Sequence, residues 1–279
     1  MTTALVLGGG GVTGIGWEIG VLEGLARAGV HLADADIVIG TSAGSVVGTQ
    51  LTGGLPTSTL YDDQLAPPDA EIGSVMAMST MLRIALPMLL PGSPEARLRR
   101  LGRAALRAHP ESAEQRLEVI RSRIGVTSWP AGRDLRITAI NAATGQFRAF
   151  TGSAGVDLVA AVGASCAVPM VWPPVPIDGA PHIDGGMRSV ANADLAAGAD
   201  RVVVLAPLPR SVDRHHAIPA QLGRLGAHVQ SAVLSPDREA LAAIGKNLLD
   251  PARRADAARS GLRQGAAAAA DVRAAWADA

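Results

Sequence analysis

The chain has 279 residues, 48% hydrophobic and 18% charged, which is long enough for one large core and too apolar for a disordered segment. Its 25 basic and 25 acidic side chains balance to zero net charge, which removes any global pull towards nucleic acid. The single cysteine, Cys166, excludes an intramolecular disulfide, fits a reducing compartment and leaves no Cys/His cluster to hold a metal.

Thr3–Leu7 reads as a buried strand that runs straight into Gly8-Gly9-Gly10-Gly11-Val12-Thr13-Gly14. Consecutive glycines lose more backbone freedom on folding than any other residues, so something must approach that backbone closely. Ile15 to Ala28 follows as a helix, with Ile19, Leu22 and Leu25 on one face and Gly29 at its end. No charged, then apolar, leader precedes the first strand, and a cytoplasmic protein is expected.

The second strand, Ile37-Val38-Ile39, enters Gly40-Thr41-Ser42-Ala43-Gly44, and Ser45–Leu51 continues as a helix. A strand that reverses sharply into a helix leaves no room for side chains at the flanking positions, which suits Gly40 and Gly44. The turn strains the central residue and holds its hydroxyl clear of the backbone, while the helix aims N–H groups and a positive dipole end at the same place. In a parallel sheet both glycine turns fall at the carboxyl edge, where open α/β proteins bind ligands. Bare backbone donors beside an exposed serine are what acyl transfer requires, a nucleophile and an oxyanion hole.

Leu55 to Pro68 is turn-rich and reads as a loop. Ile72 to Leu90 is largely apolar and carries Met76, Met78, Met81 and Met88; Arg83 and Pro87 argue against a membrane span and for a buried or lid helix. Glu95–His109 and Ser112–Ile124 read as arginine-rich amphipathic helices, a cap whose basic face suits anionic lipid head groups or plain solvent. The α/β pattern then resumes. A strand at 135–140, a turn at 141–145 and a hairpin partner at 146–150 are followed by a helix from Asp157 to Gly163 and a buried strand at Arg201–Ala206. Residues 237–278 read as one or two helices rich in Ala and Arg. Lys246 is the only lysine, a bias that matches high-GC bacterial sequences.

Three ordered motifs give the chain a resemblance. Gly-Gly-Gly-x-x-Gly after the first strand, Gly-x-Ser-x-Gly after the second and Ile183-Asp184-Gly185-Gly186 late in the chain resemble the patatin-like phospholipases. Ala164-Ser165-Cys166-Ala167-Val168-Pro169 is similar to the segment that precedes the family's aspartate. The resemblance implies a three-layer α/β/α sandwich with a mostly parallel central sheet. It also implies a lipid acyl hydrolase of phospholipase A or carboxylesterase type working through a Ser–Asp dyad without cofactor. Carried over, Ser42 is the nucleophile, Asp184 the base, and the Gly9, Gly10 and Gly11 amides the oxyanion hole, with Gly14, Gly40, Gly44, Gly185 and Gly186 as motif support. Thr13 departs from the pattern, standing where the family usually has Arg or Lys, and one extra residue separates Gly14 from Gly20.

An aspartate near its ordinary pKa of about 3.9 is a weak base, so the Asp184 site should be partly desolvated. Six histidines are rival bases: His31, His109, His182, His215, His216 and His228. Only the last three follow the acid as a Ser-His-Asp triad of the α/β-hydrolase order would have them, and His215-His216 reads as a solvated loop. Two other classes stay open: a nucleotide-binding module that uses Gly9-x-Gly11-x-x-Gly14 for phosphate with Asp34 or Asp36 on a ribose, and a catalytically idle lipid-binding relative. The expectation is one domain over 1–279, with a helical cap at about 60–130 and a helical C-terminal segment at about 237–279. Its partners would be a lipid or other ester and a membrane surface met peripherally, with no nucleic acid and no metal.

Overall fold

A computed structural model describes residues 1–67, 78–109, 112–209 and 213–276. The first half of the chain holds β1 (Thr3–Leu7), α1 (Gly11–Arg27), β2 (Ile37–Gly40), α2 (Ala43–Thr52) and α3 (Thr57–Leu65). Then come α4 (Met78–Leu89), α5 (Pro94–Ala108) and α6 (Glu114–Ile124). The second half holds β3 (Asp134–Asn141), β4 (Phe147–Phe150), α7 (Leu158–Ser165), β5 (Val175–Ile177), β6 (Ala180–Asp184) and β7 (Arg201–Leu205). It ends with α8 (Ile218–Leu225), β8 (Gln230–Leu234), α9 (Arg238–Ile244) and α10 (Arg254–Trp276).

Helix α3 corrects the loop expected at 55–68. Leu60, Tyr61 and Gln64 lie at helical spacing and are buried, while Ser58, Thr59, Asp62 and Asp63 face outward and give the segment its turn-like composition. The apolar segment expected at 72–90 becomes α4 from Met78; residues 72–77, with Met76, lie outside the described residues.

The sheet has eight strands and is mixed. β8, β7, β1, β2 and β3 are parallel neighbours in that order, and the apolar runs of β7, β1 and β2 suit strands covered on both faces. Leu5, Leu7, Val38 and Val203 point into one apolar layer with α1, α2, α7 and α10. Ala4, Val6, Ile39, Val202 and Val204 point into the other, formed by residues 190–199 and α8. That alternation makes the three layers.

Strand β3 is the pivot of the molecule. Its first half pairs in parallel with β2, Gly40 opposite Ile137. Its second half pairs antiparallel with β6, Asp184 opposite Ala139. Because β4 pairs with Ile137 to Ile140, it occupies one edge of β3, and β2 and β6 must share the other. The carboxyl ends of β2 and β6 therefore point at each other across two residues of β3, roughly 7 Å.

Helix α1 is buried all round, beyond the single apolar face read from its sequence. The far side is covered by α10, which approaches so closely that a Cβ on Gly16, Gly20 or Gly24 would meet the carbonyls of Arg254, Ala258 or Leu262. No helix among the described residues is long and apolar enough to cross a membrane.

Candidate active site

The turn after β2 places Ser42 in a left-handed backbone conformation, φ 52° and ψ −113°, which a residue with a Cβ adopts at a cost of about 1–3 kcal/mol. The surroundings over-determine it. The Ser42 N–H donates to Ser165 Oγ at 2.9 Å, and its carbonyl accepts from Ser45 Oγ at 2.7 Å and from Cys166 Sγ at 3.4 Å. A Cβ on Gly44 would collide with the Leu7 carbonyl, and one on Gly40 with the Ser45 backbone, so both flanking glycines are sterically required. The Ser42 side chain makes no capping bond to α2, which leaves its hydroxyl for other work.

The Ser42 side chain lies close enough to the carboxylate of Asp184, the last residue of β6, to oppose the rise of its pKa. Asp184 is 2% exposed, and burial raises its pKa to about 7 against the opposing hydrogen bonds from the Gly186 N–H and Ser42. The Gly186 N–H lies 2.7 Å from Asp184 Oδ1. Gly185 packs so tightly on Thr138 of β3 that no side chain fits there, and this closeness brings the aspartate loop under the serine turn. The Asp184 N–H in turn donates to the Ala167 carbonyl at 3.1 Å, joining it to the Ala164–Pro169 segment.

The glycine loop closes the third side. Gly9 does not present its amide: the N–H donates to the Val190 carbonyl at 2.7 Å. Its place in the expected donor set is corrected accordingly, since the direction of an N–H is set by the fold and not by residue type. The Gly10 and Gly11 amides have no acceptor among the described residues, nor does that of Ala43, which follows Ser42 and was not singled out from the sequence. Gly14 packs on Pro207 and Ala43. Thr13, where the family pattern has a cation, is fully buried. Its N–H and hydroxyl both reach the Leu248 carbonyl, at 3.1 and 3.3 Å, so contact with the C-terminal segment replaces the charge.

Behind the pair lies a polar network that the sequence did not reveal. Asn192, itself left-handed at φ 54°, donates to Thr41 Oγ1 at 3.1 Å, to the Ser189 carbonyl at 2.9 Å and to the Gly185 carbonyl at 3.3 Å. Thr41 and Thr138 share a hydrogen bond of 2.9 Å. Arg188 adds an ion pair with Asp194 of 2.5 Å and a bond to Asn192 Oδ1 of 2.7 Å.

A cavity of about 690 Å³ opens over Ser42, Asp184 and Gly9 to Gly11. Its walls are mostly apolar, with Ile84, Met88, Phe147, Val168 and Leu249 among them. His216, expected in a solvated loop, is half-buried and lines this cavity; it lies 3.5 Å from Asp213, and burial lowers its pKa. His182 is buried edge-on against Phe150, with Nδ1 2.9 Å from the Ala180 carbonyl. Cys166 is buried and its thiol pushed up by desolvation, so it packs the floor of the site without being reactive.

Two aspartates outside the site have structural roles. Asp178 and Gly179, at φ 52° and 73°, form the two-residue turn of the β5–β6 hairpin, as Asp-Gly does where both positions are left-handed. Asp36 bonds the Thr3 N–H at 2.8 Å, at the amino edge of the sheet. The glycine loop is at the other edge, so this carboxylate is not available to a ribose held there.

A family model described as patatin-like phospholipase matches residues 5–197. No curated protein matches the sequence. Among solved structures, VipD from Legionella pneumophila is similar at a TM-score of 0.48 and 14% identity, covering 97% of this chain and 66% of its own. The type III effector protein ExoU is similar at a TM-score of 0.43 and 16% identity, covering 99% of this chain and 54% of its own. The chain thus spans between about half and two thirds of the length of these two proteins.

Proposed function

The chain belongs to the patatin-like phospholipase family, and we propose that it is a serine acyl hydrolase that cleaves a lipid ester through an acyl-Ser42 intermediate. What supports this reading is that Ser42, held at positive φ, and the buried Asp184 line one cavity, and that burial raises the pKa of that aspartate to about 7. A carboxylate with that basicity is matched to accepting a proton at neutral pH, which an ordinary surface aspartate is not.

In the first half-reaction Ser42 Oγ attacks the ester carbonyl carbon while Asp184 takes its proton. Negative charge gathers on the former carbonyl oxygen, where the Gly10, Gly11 and Ala43 amides and the N-termini of α1 and α2 stabilise it. The alcohol leaves with the proton from Asp184. Water then attacks the acyl-serine, Asp184 again serving as base, and the carboxylic acid departs from a regenerated Ser42. The apolar cavity takes the acyl chain.

A fluorophosphonate probe tests the proposal. Covalent labelling that disappears in Ser42→Ala, with turnover of a chain-length series of synthetic esters, is the expected result. Folded protein that neither reacts with the probe nor turns over any ester would favour an idle lipid-binding relative.

A further inference from the structure

Helix α4 has two apolar faces, and among the described residues only one of them is covered. Ile84 and Met88 pack on the cluster of Leu98, Leu101, Ile140 and Ile183 and line the cavity above Ser42. On the opposite side Leu82 is 63%, Leu86 64% and Leu89 74% exposed, and Leu90 just beyond is 43% exposed. At 100° per residue the first three fall within an arc of about 60°, a single stripe along the helix. Half of the eight large hydrophobic side chains that are exposed among the described residues lie between Leu82 and Leu90. Leu89 belongs to both faces: it lines the cavity and stands in solvent, so the apolar wall continues out onto the surface.

The charge around the stripe is lopsided. Between residues 78 and 109 there are six arginines and one glutamate, a net charge of +5 in a chain whose total is zero. Arg99, Arg103 and Arg107 repeat every fourth residue along the exposed side of α5, which packs against α4. Arg100 caps the turn between the two helices through the Leu90 and Pro91 carbonyls, at 3.1 and 2.9 Å, and so fixes them together. An apolar stripe on a helix joined to an arginine-bearing one matches the boundary between acyl chains and anionic head groups, and a water-soluble protein partner would not require the stripe to continue into a lipid-sized cavity.

We propose that the α4–α5 unit docks on the surface of an anionic phospholipid bilayer, the leucine stripe entering the acyl boundary and the arginines engaging head groups. The cavity mouth beside Leu89 then faces the membrane, and a lipid reaches Ser42 along the inner side of α4 without crossing water. The inference rests on the lipid-ester reading for its purpose, while its geometry is independent of the chemistry at Ser42.

The test separates the two. Ser42→Ala protein is sedimented with vesicles of phosphatidylcholine alone and of phosphatidylcholine mixed with phosphatidylglycerol. Binding is expected to the anionic vesicles and to weaken with added salt. In the same background Leu82→Ser/Leu86→Ser should lower the partition coefficient roughly tenfold or more. Arg99→Gln/Arg103→Gln should lower it on the order of tenfold for anionic vesicles and little for neutral ones. Made with Ser42 intact, both double variants should keep fluorophosphonate labelling and turnover of a short soluble ester, which also shows that they fold. No binding to anionic vesicles, or binding undiminished by the leucine pair, overturns the docking face. So does a dimer in solution that Leu82→Ser/Leu86→Ser dissociates, because the stripe would then belong to a second copy. Vesicle binding without labelling or ester turnover sinks the hydrolase reading and leaves the docking face standing.

Discussion

Asn192 donates to the Thr41 hydroxyl across 3.1 Å, and through that bond the residue before Ser42 is held to the loop that follows Asp184. The same amide reaches the Gly185 carbonyl, and Thr41 reaches Thr138 on the strand that carries both halves of the site. Asn192→Ala removes this tie and leaves buried acceptors unpaired, at a cost of about 1–3 kcal/mol. Because the proposed dyad depends on the relative position of two strand ends, kcat for a soluble ester should fall roughly 10- to 100-fold with KM little changed. Full activity in a folded Asn192→Ala protein would remove Asn192 from any positioning role.

Asp184 gives the reaction its expected pH dependence. Ionised, it is the base; protonated, it is not, so kcat/KM should rise through about pH 7 and level above it. Asp184→Asn should lower kcat on the order of 100- to 10,000-fold. Stability runs the other way. With a folded pKa of about 7 against about 3.9 unfolded, the native state holds a proton that the unfolded chain releases. This group's contribution is complete below pH 4 and is lost as pH rises through 7. Asp184→Asn should therefore match the parent in Tm near pH 4 and exceed it near pH 8. A flat rate profile across pH 5–8, or a variant that is less stable at pH 8, contradicts the assignment.

How much was legible follows from what each residue type constrains. Gly40 and Gly44 were readable because no other residue fits beside the Leu7 and Ser45 backbones. The α/β sandwich was readable because β1, β2 and β7 are apolar on both faces. Strand β8 escaped because an edge strand with Gln230 and Ser231 exposed carries no such run. The meeting of β2 and β6 on one edge of β3 is a register, which no local pattern encodes. Gly9 was misassigned among the donors for a related reason, and Asn192 and His216 reach the site only through long-range contacts.

Among the described residues, His216 with Asp213 is the one other base-and-carboxylate pair on the cavity wall. Under the Ser42–Asp184 reading it contacts substrate at most, and His216→Asn should change kcat less than threefold or so, within the range of lost binding contacts. A drop of 1000-fold would move the base role from Asp184 to His216. Comparison of His216→Asn with Asp184→Asn on the same soluble ester decides between them.

Glu18 is fully buried on α1, and neither carboxyl oxygen has a hydrogen-bond partner among the described residues. The neighbouring Gly8 amide eases it only weakly, since that N–H already serves the Leu205 carbonyl at 2.9 Å. Desolvation raises its pKa well above the usual carboxylate range, which favours the neutral acid beneath the glycine loop. Neutrality matters there, because a negative charge below Gly8–Gly11 would oppose the charge that builds at the Gly10 and Gly11 amides. The proton is held more tightly in the native state, so the contribution of Glu18 to stability is present below about pH 4 and is lost as pH rises. Glu18→Gln keeps the shape and cannot ionise. Its Tm relative to the parent should climb steadily from pH 4.5 to 8.5, and any alkaline decline in kcat should flatten. A Tm difference that is the same at both pH values would mean that Glu18 is charged in the folded protein, and that a partner outside the described residues holds it.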